Sequence, residues 1–397
     1  MLKKIKNILK KRHKHLPRII EHASFKNYQI ALHFDGEIQN LYQLIQWVSI
    51  IDILNKKQPT IIIARDLKVY NWLRTHTSIG TIFLKNLTEL TSFYQNTPLK
   101  CLLYVNNSTK NFQSLINRDS LHIHINHGES DKTSTISNQS KAYDCVLISG
   151  DAAYDKYYLN LINVDMNKFI KIGRPQLEHV QNTQSIQTNK KIVLYAPTWE
   201  GTHDTMNYTS INDYGIKIVN MILKDPNYYL VYKPHPNTGS INSETKRINR
   251  TLIKLIQKNK HAIVFSHKDI NSLFPHIDIA IFDNSAVAVD YLKINKPMFI
   301  VDKFNNQEKR SKPTIIKAAI MISNNNINNL IELIKKEIEH DSIKEQRNKV
   351  KKYFLGEYDY SKKESTDKFI STILDICKKR DRMKKELEKA NETHAFF

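Results

Sequence analysis

Short runs of branched and aromatic residues alternate with stretches of helical periodicity along most of this chain of 397 residues. That alternation restricts the fold more than any other feature. YQIALHF, TIIIA, TIFL, KCLLYV, LHIHI and YDCVLIS read as strands, EIQNLYQLIQWVSIIDIL as a helix, and FIKIGRPQLE closes the set. After QNTQSIQTNKK, a polar linker without periodicity, a second series begins with KIVLYAP, YYLVYK, AIVFS, IDIAIF and PMFIV. Strands interleaved with helices predict mostly parallel sheets covered on both faces. Two doubly wound α/β halves joined near residue 185 are expected, with residues 21–183 as the first and 184–378 as the second. From about residue 326 the chain reads as helical and highly charged, and 379–397 as an exposed helical tail.

Ligands of such sheets bind outside the carboxyl ends of the strands, here in a crevice between two halves. Nine glycines, no G-x-G-x-x-G and no P-loop pattern leave a nicotinamide dinucleotide site and a P-loop unsupported. The absence of D-x-D weakens a metal-dependent sugar-nucleotide reading. Cys101, Cys145 and Cys377 are too widely spaced for a C-x-x-C pair, which argues against a disulfide framework and a structural zinc site. A reducing cytoplasm is the expected compartment.

The formal charge of +21 is unevenly spread, with eight Lys or Arg and no acid in the first twenty residues. MLKKIKNILKKRHKHL places Leu2, Ile5, Ile8, Leu9 and Leu16 near one side of a helix, and Pro17 ends it. Residues 1–20 are expected to form a basic amphipathic helix, with 1–16 lying on an anionic membrane surface. Each cation near that surface contributes on the order of 1 kcal/mol. An arm that binds nucleic acid is the alternative, but phosphate contacts do not require an apolar face. Lysines interrupt every apolar run of this segment and no cleavage site follows, so a signal peptide is not expected, and no run is long enough to span a bilayer.

Four strand ends carry candidate chemistry. In HINHGESDK, residues 124–132, the alternation of LHIHI puts His122 and His124 on one sheet face. His127 follows the strand end, and Gly128 allows a turn that a side chain would crowd. A histidine there has the pKa of a general base, or is a turn residue; a metal site from His122, His124 and His127 is disfavoured because His127 is out of phase with the other two. In YKPHP, Pro234 and Pro236 hold His235 on a stiff backbone, as a phosphate-binding or proton-donating imidazole requires. In DIAIFDNSAVAVDYL, Asn284 or Ser285 can cap a helix whose free amides form an anion site, and Asp290 could reach a ribose or pair outward. In YAPTWEG, Pro197 stops the strand and leaves Thr198 and Trp199 to meet a nucleotide or to be buried.

In this order, NHGESDK with NQSKAYD, GDAAYD, IGRPQ, YAPTW, KPHP and FDNSAVAVDYLKINKP resemble the CDP-glycerol glycerophosphotransferase family, teichoic acid and capsule polymerases of GT-B fold. DGEIQNLYQLIQW and LYVNNSTKNFQ resemble a branch of that family, and the likeness spans roughly residues 28–310. The resemblance implies transfer of an alditol phosphate, glycerol or ribitol phosphate, from a CDP-alditol to a hydroxyl of a polymer or lipid-linked acceptor. CMP leaves, and neither a metal nor another cofactor is required. It implies His127 as general base for the acceptor hydroxyl and His235 at the diphosphate or leaving group. Gly128, Glu129, Asp131 and Lys132 would orient the base or contact the acceptor. Arg174, Thr198, Trp199, Lys233, Asp283, Asn284, Ser285 and Asp290 would bind the donor. Where many members carry two adjacent serines, this chain has Asn284-Ser285-Ala286, so one phosphate-contacting hydroxyl is missing. It also lacks the extra helical module of the long polymerases, which weighs against processive synthesis. The expected location is peripheral, on the cytoplasmic face of the cell membrane. The rival readings are a GT-B glycosyltransferase using a CMP- or UDP-sugar for capsule or lipopolysaccharide, and a non-enzymatic basic protein binding a surface or nucleic acid.

Overall fold

The computed structural model describes residues 25–130, 136–180, 186–201, 207–266, 269–302 and 315–394. The basic segment 1–20 lies outside them, as do Asp131 and Lys132. Among the described residues, thirteen strands form two sheets. The first contains β1 (Ile30–Phe34), β2 (Thr60–Ala64), β3 (Gly80–Phe83), β4 (Cys101–Tyr104), β5 (Leu121–His124), β6 (Cys145–Ile148) and β7 (Phe169–Lys171), in the order β3-β2-β1-β4-β5-β6-β7. The second contains β8 (Lys191–Ala196), β9 (Tyr228–Tyr232), β10 (Ala262–Val264), β11 (Ile279–Phe282), β12 (Met298–Val301) and β13 (Ile320–Ile322), in the order β10-β9-β8-β11-β12-β13. The pairing is parallel, as in β8 with β11, where Tyr195 registers with Ile281. The expected α/β class with two parallel sheets is therefore observed.

Alternation along β8 shows how the second sheet is covered. Ile192, Leu194 and Ala196 join one core with Phe274, Ile300 and Phe354, while Val193 and Tyr195 join another with Ile218, Leu252 and Ile334. Each such side chain contributes about 1.5–3 kcal/mol by leaving water. β13 was not expected from the sequence: it is three residues long, on an edge, and only Ile322 is fully buried. The strand LHIHI has no solvent-facing side. β5 is internal and both its faces are covered, so His122, Ile123 and His124 are all buried.

The described residues divide into two compact units. The first takes 25–41, 51–123 and 373–394. There the end of the C-terminal helix Glu364–His394 packs by β4: Lys100 Nζ lies 2.5 Å from Asp381, and Cys101 Sγ lies 3.3 Å from Cys377 Sγ. The second takes 42–50 and the described residues of 124–372. It includes the start of the same helix, whose free amides at Ser365 and Thr366 donate to the Glu178 carboxylate at 3.0 and 2.7 Å. The expected boundary at 378/379 falls inside this continuous helix. Among the described residues, no helix is long and apolar enough to cross a membrane.

Candidate active site

The second unit brings the strand-end motifs together. Past β5 the backbone turns at Asn126, whose φ of 56° is left-handed, and its side-chain Oδ1 accepts the His127 amide at 2.8 Å. The turn therefore belongs to asparagine, which tolerates that conformation. Gly128 lies in a close approach instead: a Cβ there would stand 3.3 Å from the Ala286 Cβ, at the start of the helix Ala286–Tyr291. The HINHG turn and the FDNSA turn thus abut.

Arg174 fastens this junction. It is buried, and its Nε and Nη2 meet the two Asp290 carboxylate oxygens at 2.9 and 3.2 Å. Nη2 also donates to the His127 carbonyl at 3.0 Å. Burial alone would lower the Arg174 pKa, but the Asp290 charge and hydrogen bonds raise it. Both residues were expected at the donor, and here they neutralise each other, Asp290 pairing inward. Glu129, a candidate for orienting His127, is buried and pairs with Lys156 at 3.4 Å. His122 joins the Tyr104 hydroxyl at 2.8 Å and the Asn117 carbonyl at 3.1 Å, and His124 stacks on Tyr143, so neither is committed with His127 to a metal. Among the described residues no group of three or more His, Cys, Asp or Glu is placed to hold a metal ion.

On the second sheet, KPHP leaves β9 with its backbone pinned to β8, since the Lys233 amide donates to the Tyr195 carbonyl at 2.9 Å. The His235 Nδ1 accepts the Asn237 amide at 3.1 Å. That bond uses the Nδ1 lone pair, so the neutral ring carries its proton on Nε2. Trp199 stacks on the same ring, with centroids 5.9 Å apart and planes 16° apart. Burial lowers the Lys233 pKa, and its Nζ makes a long contact of 3.4 Å to the Pro234 carbonyl. Thr198 is buried, and its amide donates to Asp283 Oδ2 at 2.7 Å, which also accepts the Ser210 amide at 3.2 Å. Asp283 thus ties the two ends of the connection that follows β8 together from the end of β11.

Ser285 occupies the N-cap position but makes no side-chain cap hydrogen bond, contrary to the capping expectation. Its Oγ and both amide atoms of Asn284 are buried without a partner among the described residues. Buried polar atoms left unpaired cost about 1–3 kcal/mol each, so such a cluster at a loop tip is poised for a ligand.

Two residues escaped sequence reasoning. Glu200 accepts the amides of Gly239, Ile241 and Asn242 at 3.0, 3.0 and 3.1 Å, fixing the turn behind His235. Burial would raise its pKa, but those backbone bonds lower it. The same turn needs glycine at 239, where φ is +75° and a Cβ would strike the Lys246 Cα at 2.6 Å. Tyr42, the first residue of the helix Tyr42–Lys57, lies edge-on to both candidate histidines, with ring centroids 6.3 Å from His127 and 5.9 Å from His235. DGEIQNLYQLIQW was noticed as a resemblance, but nothing in it marked Tyr42 as a neighbour of either imidazole.

The fold is shared with several solved enzyme structures. The wall teichoic acid polymerase TagF, soaked with CDPG, superposes with a TM-score of 0.59 at 13% identity, over 91% of each chain. UDP-GlcNAc 2-epimerase from Neisseria meningitidis, bound to UDP-GlcNAc, gives 0.56 at 13% identity, over 87% of this chain and 100% of that one. A glycosyltransferase from Rickettsia africae gives 0.53 at 14%, over 89% and 98%. No curated protein matches in sequence. The chain belongs to the CDP-glycerol:poly(glycerophosphate) glycerophosphotransferase family, whose sequence profile matches residues 109–375. It is accordingly an enzyme of the glycerophosphotransferase class.

Proposed function

We propose that the protein transfers an alditol phosphate from a CDP-alditol to a hydroxyl of a teichoic acid-like or capsular polymer, or of its lipid-linked starter. The acceptor oxygen attacks the phosphorus that carries the alditol. The bond from that phosphorus to the bridging oxygen breaks, and CMP departs with the electron pair. His127 takes the proton of the hydroxyl, and His235 donates from Nε2 to the diphosphate. Lys233 and the unpartnered side chains of Asn284 and Ser285 supply further contacts, the Asn284 amide standing where a serine hydroxyl is missing. Phosphoryl transfer depends mainly on positioning and charge stabilisation, which such a set can provide.

The observation that carries this reading is the approach of His127 and His235 to one ring, Tyr42. One imidazole comes from the end of the first sheet and one from the second, as a base and a diphosphate ligand must. Residues 21–183 would then serve the acceptor and 184–378 the donor, with Arg174 and Asp290 supporting the site from beneath. The basic segment 1–16 would hold the enzyme on the anionic inner face of the membrane, near its acceptor.

A donor panel tests the reaction. Purified protein should release CMP from CDP-glycerol or CDP-ribitol in the presence of acceptor, and His127→Ala should lower the rate by about 10²–10⁴-fold. UDP release from a UDP-sugar, or a folded His127→Ala protein of full activity, would overturn the assignment.

A further inference from the structure

We infer that Tyr42 is a positioning residue for the transfer, its ring acting as the spacer that fixes the two histidines relative to each other. The inference rests on the reaction proposed above for its functional meaning, but its geometry stands alone. The Tyr42 ring is nearly perpendicular to both imidazoles, at 83° to His127 and 81° to His235. His235 is thereby held on three sides: Trp199 on one face, the Asn237 amide on Nδ1 and the tyrosine against the ring.

The helix start that bears Tyr42 is itself anchored to the base turn. Trp47 Nε1 donates to the Asn126 carbonyl at 2.7 Å, one residue before His127. Gln46 Nε2 donates to the Tyr42 carbonyl at 3.3 Å, and Gln46 Oε1 lies 3.5 Å from the same Arg174 nitrogen that holds the His127 carbonyl. Tyr42 therefore cannot shift without disturbing the His127 backbone. Its hydroxyl accepts from Gln43 Nε2 at 3.4 Å, and burial raises its pKa, so the side chain acts as a neutral ring and not as a base.

In-line transfer places the attacking and departing oxygens on opposite sides of phosphorus. A base on the first and a donor at the diphosphate must then keep a set separation, and an error of about 1 Å costs about 10²-fold in rate. A rigid aromatic spacer between the two imidazoles meets that requirement.

The test compares Tyr42→Phe, Tyr42→Leu and Tyr42→Ala with the unaltered protein, each checked for folding by circular dichroism. The first readout needs no activity: imidazole carbon-bound proton signals of His127 and His235, assigned by NMR. Both sets should keep their positions in Tyr42→Phe and both should move in Tyr42→Leu. If only one set moves, or neither, the spacer geometry is wrong. The second readout is kinetic, with CDP-glycerol as donor. Tyr42→Phe should retain kcat within about 3-fold, while Tyr42→Leu and Tyr42→Ala should lose about 10²-fold in kcat with little change in donor KM. Loss in Tyr42→Phe equal to that in Tyr42→Ala would assign the role to the hydroxyl and overturn the spacer. Full kcat in Tyr42→Leu would also overturn it. If the unaltered protein turns over neither CDP-glycerol nor CDP-ribitol, the proposed reaction fails, while the NMR comparison still decides the geometry.

Discussion

His124 shows at the residue scale how closely the HINHG turn borders a costly core position. Its ring stacks on Tyr143 with planes 10° apart, and both nitrogens are buried without a partner among the described residues. Burial, assisted by the nearby His127, pushes its pKa down to about 3, and burial does the same to His33 in the other unit. A histidine neutral in the fold and titrating near 6.5 when unfolded binds its proton only in the unfolded state between those values. Its effect on stability is absent above about pH 6.5 and grows as pH falls, by about 1.4 kcal/mol per unit. His124→Phe keeps the stack and removes the stranded nitrogens. It should stabilise the protein by about 1 kcal/mol at pH 7, and by about 2 kcal/mol more at pH 5. Urea midpoints at the two pH values measure this, and an equal gain at both would mean that His124 is charged in the fold.

At the scale of elements, the site depends on how loops are held as much as on which residues they carry. Proline stiffness made His235 legible in KPHP, yet the turn that follows is set by Glu200, thirty-nine residues before Gly239. Glu200→Ala would leave three backbone amides unpaired and let the ring that stacks on Trp199 drift. CMP release should fall about 10-fold or more with the fold retained, and Glu200→Gln, which keeps one acceptor oxygen, should fall between the two. An unchanged rate in Glu200→Ala would show that the turn holds itself. Ser285 shows the opposite case. A cap from Asn284 or Ser285 was expected from residue type, but among the described residues the Ser285 hydroxyl has no partner, because a position in sequence does not say where a side chain points.

For the whole molecule, the strongly basic first sixteen residues carry the proposed membrane contact. Deleting 1–16 should abolish co-sedimentation with anionic vesicles while leaving CMP release on a soluble acceptor intact; retained sedimentation would move the contact elsewhere. The sequence by itself determined the α/β class, the two sheets and the strand ends at which chemistry collects. Buried parallel strands must be continuous apolar runs, and ligands of such sheets meet their carboxyl ends. Only the tertiary structure decided which of those residues meet each other. Arg174 and Asp290 became a buried pair, Glu129 joined Lys156, and Tyr42 came to lie against both histidines. These contacts join segments far apart in the chain, as Trp47 and Asn126 do across 79 residues. Local pattern records periodicity and backbone preference, whereas such meetings are fixed by how packed layers stack, which no single stretch encodes.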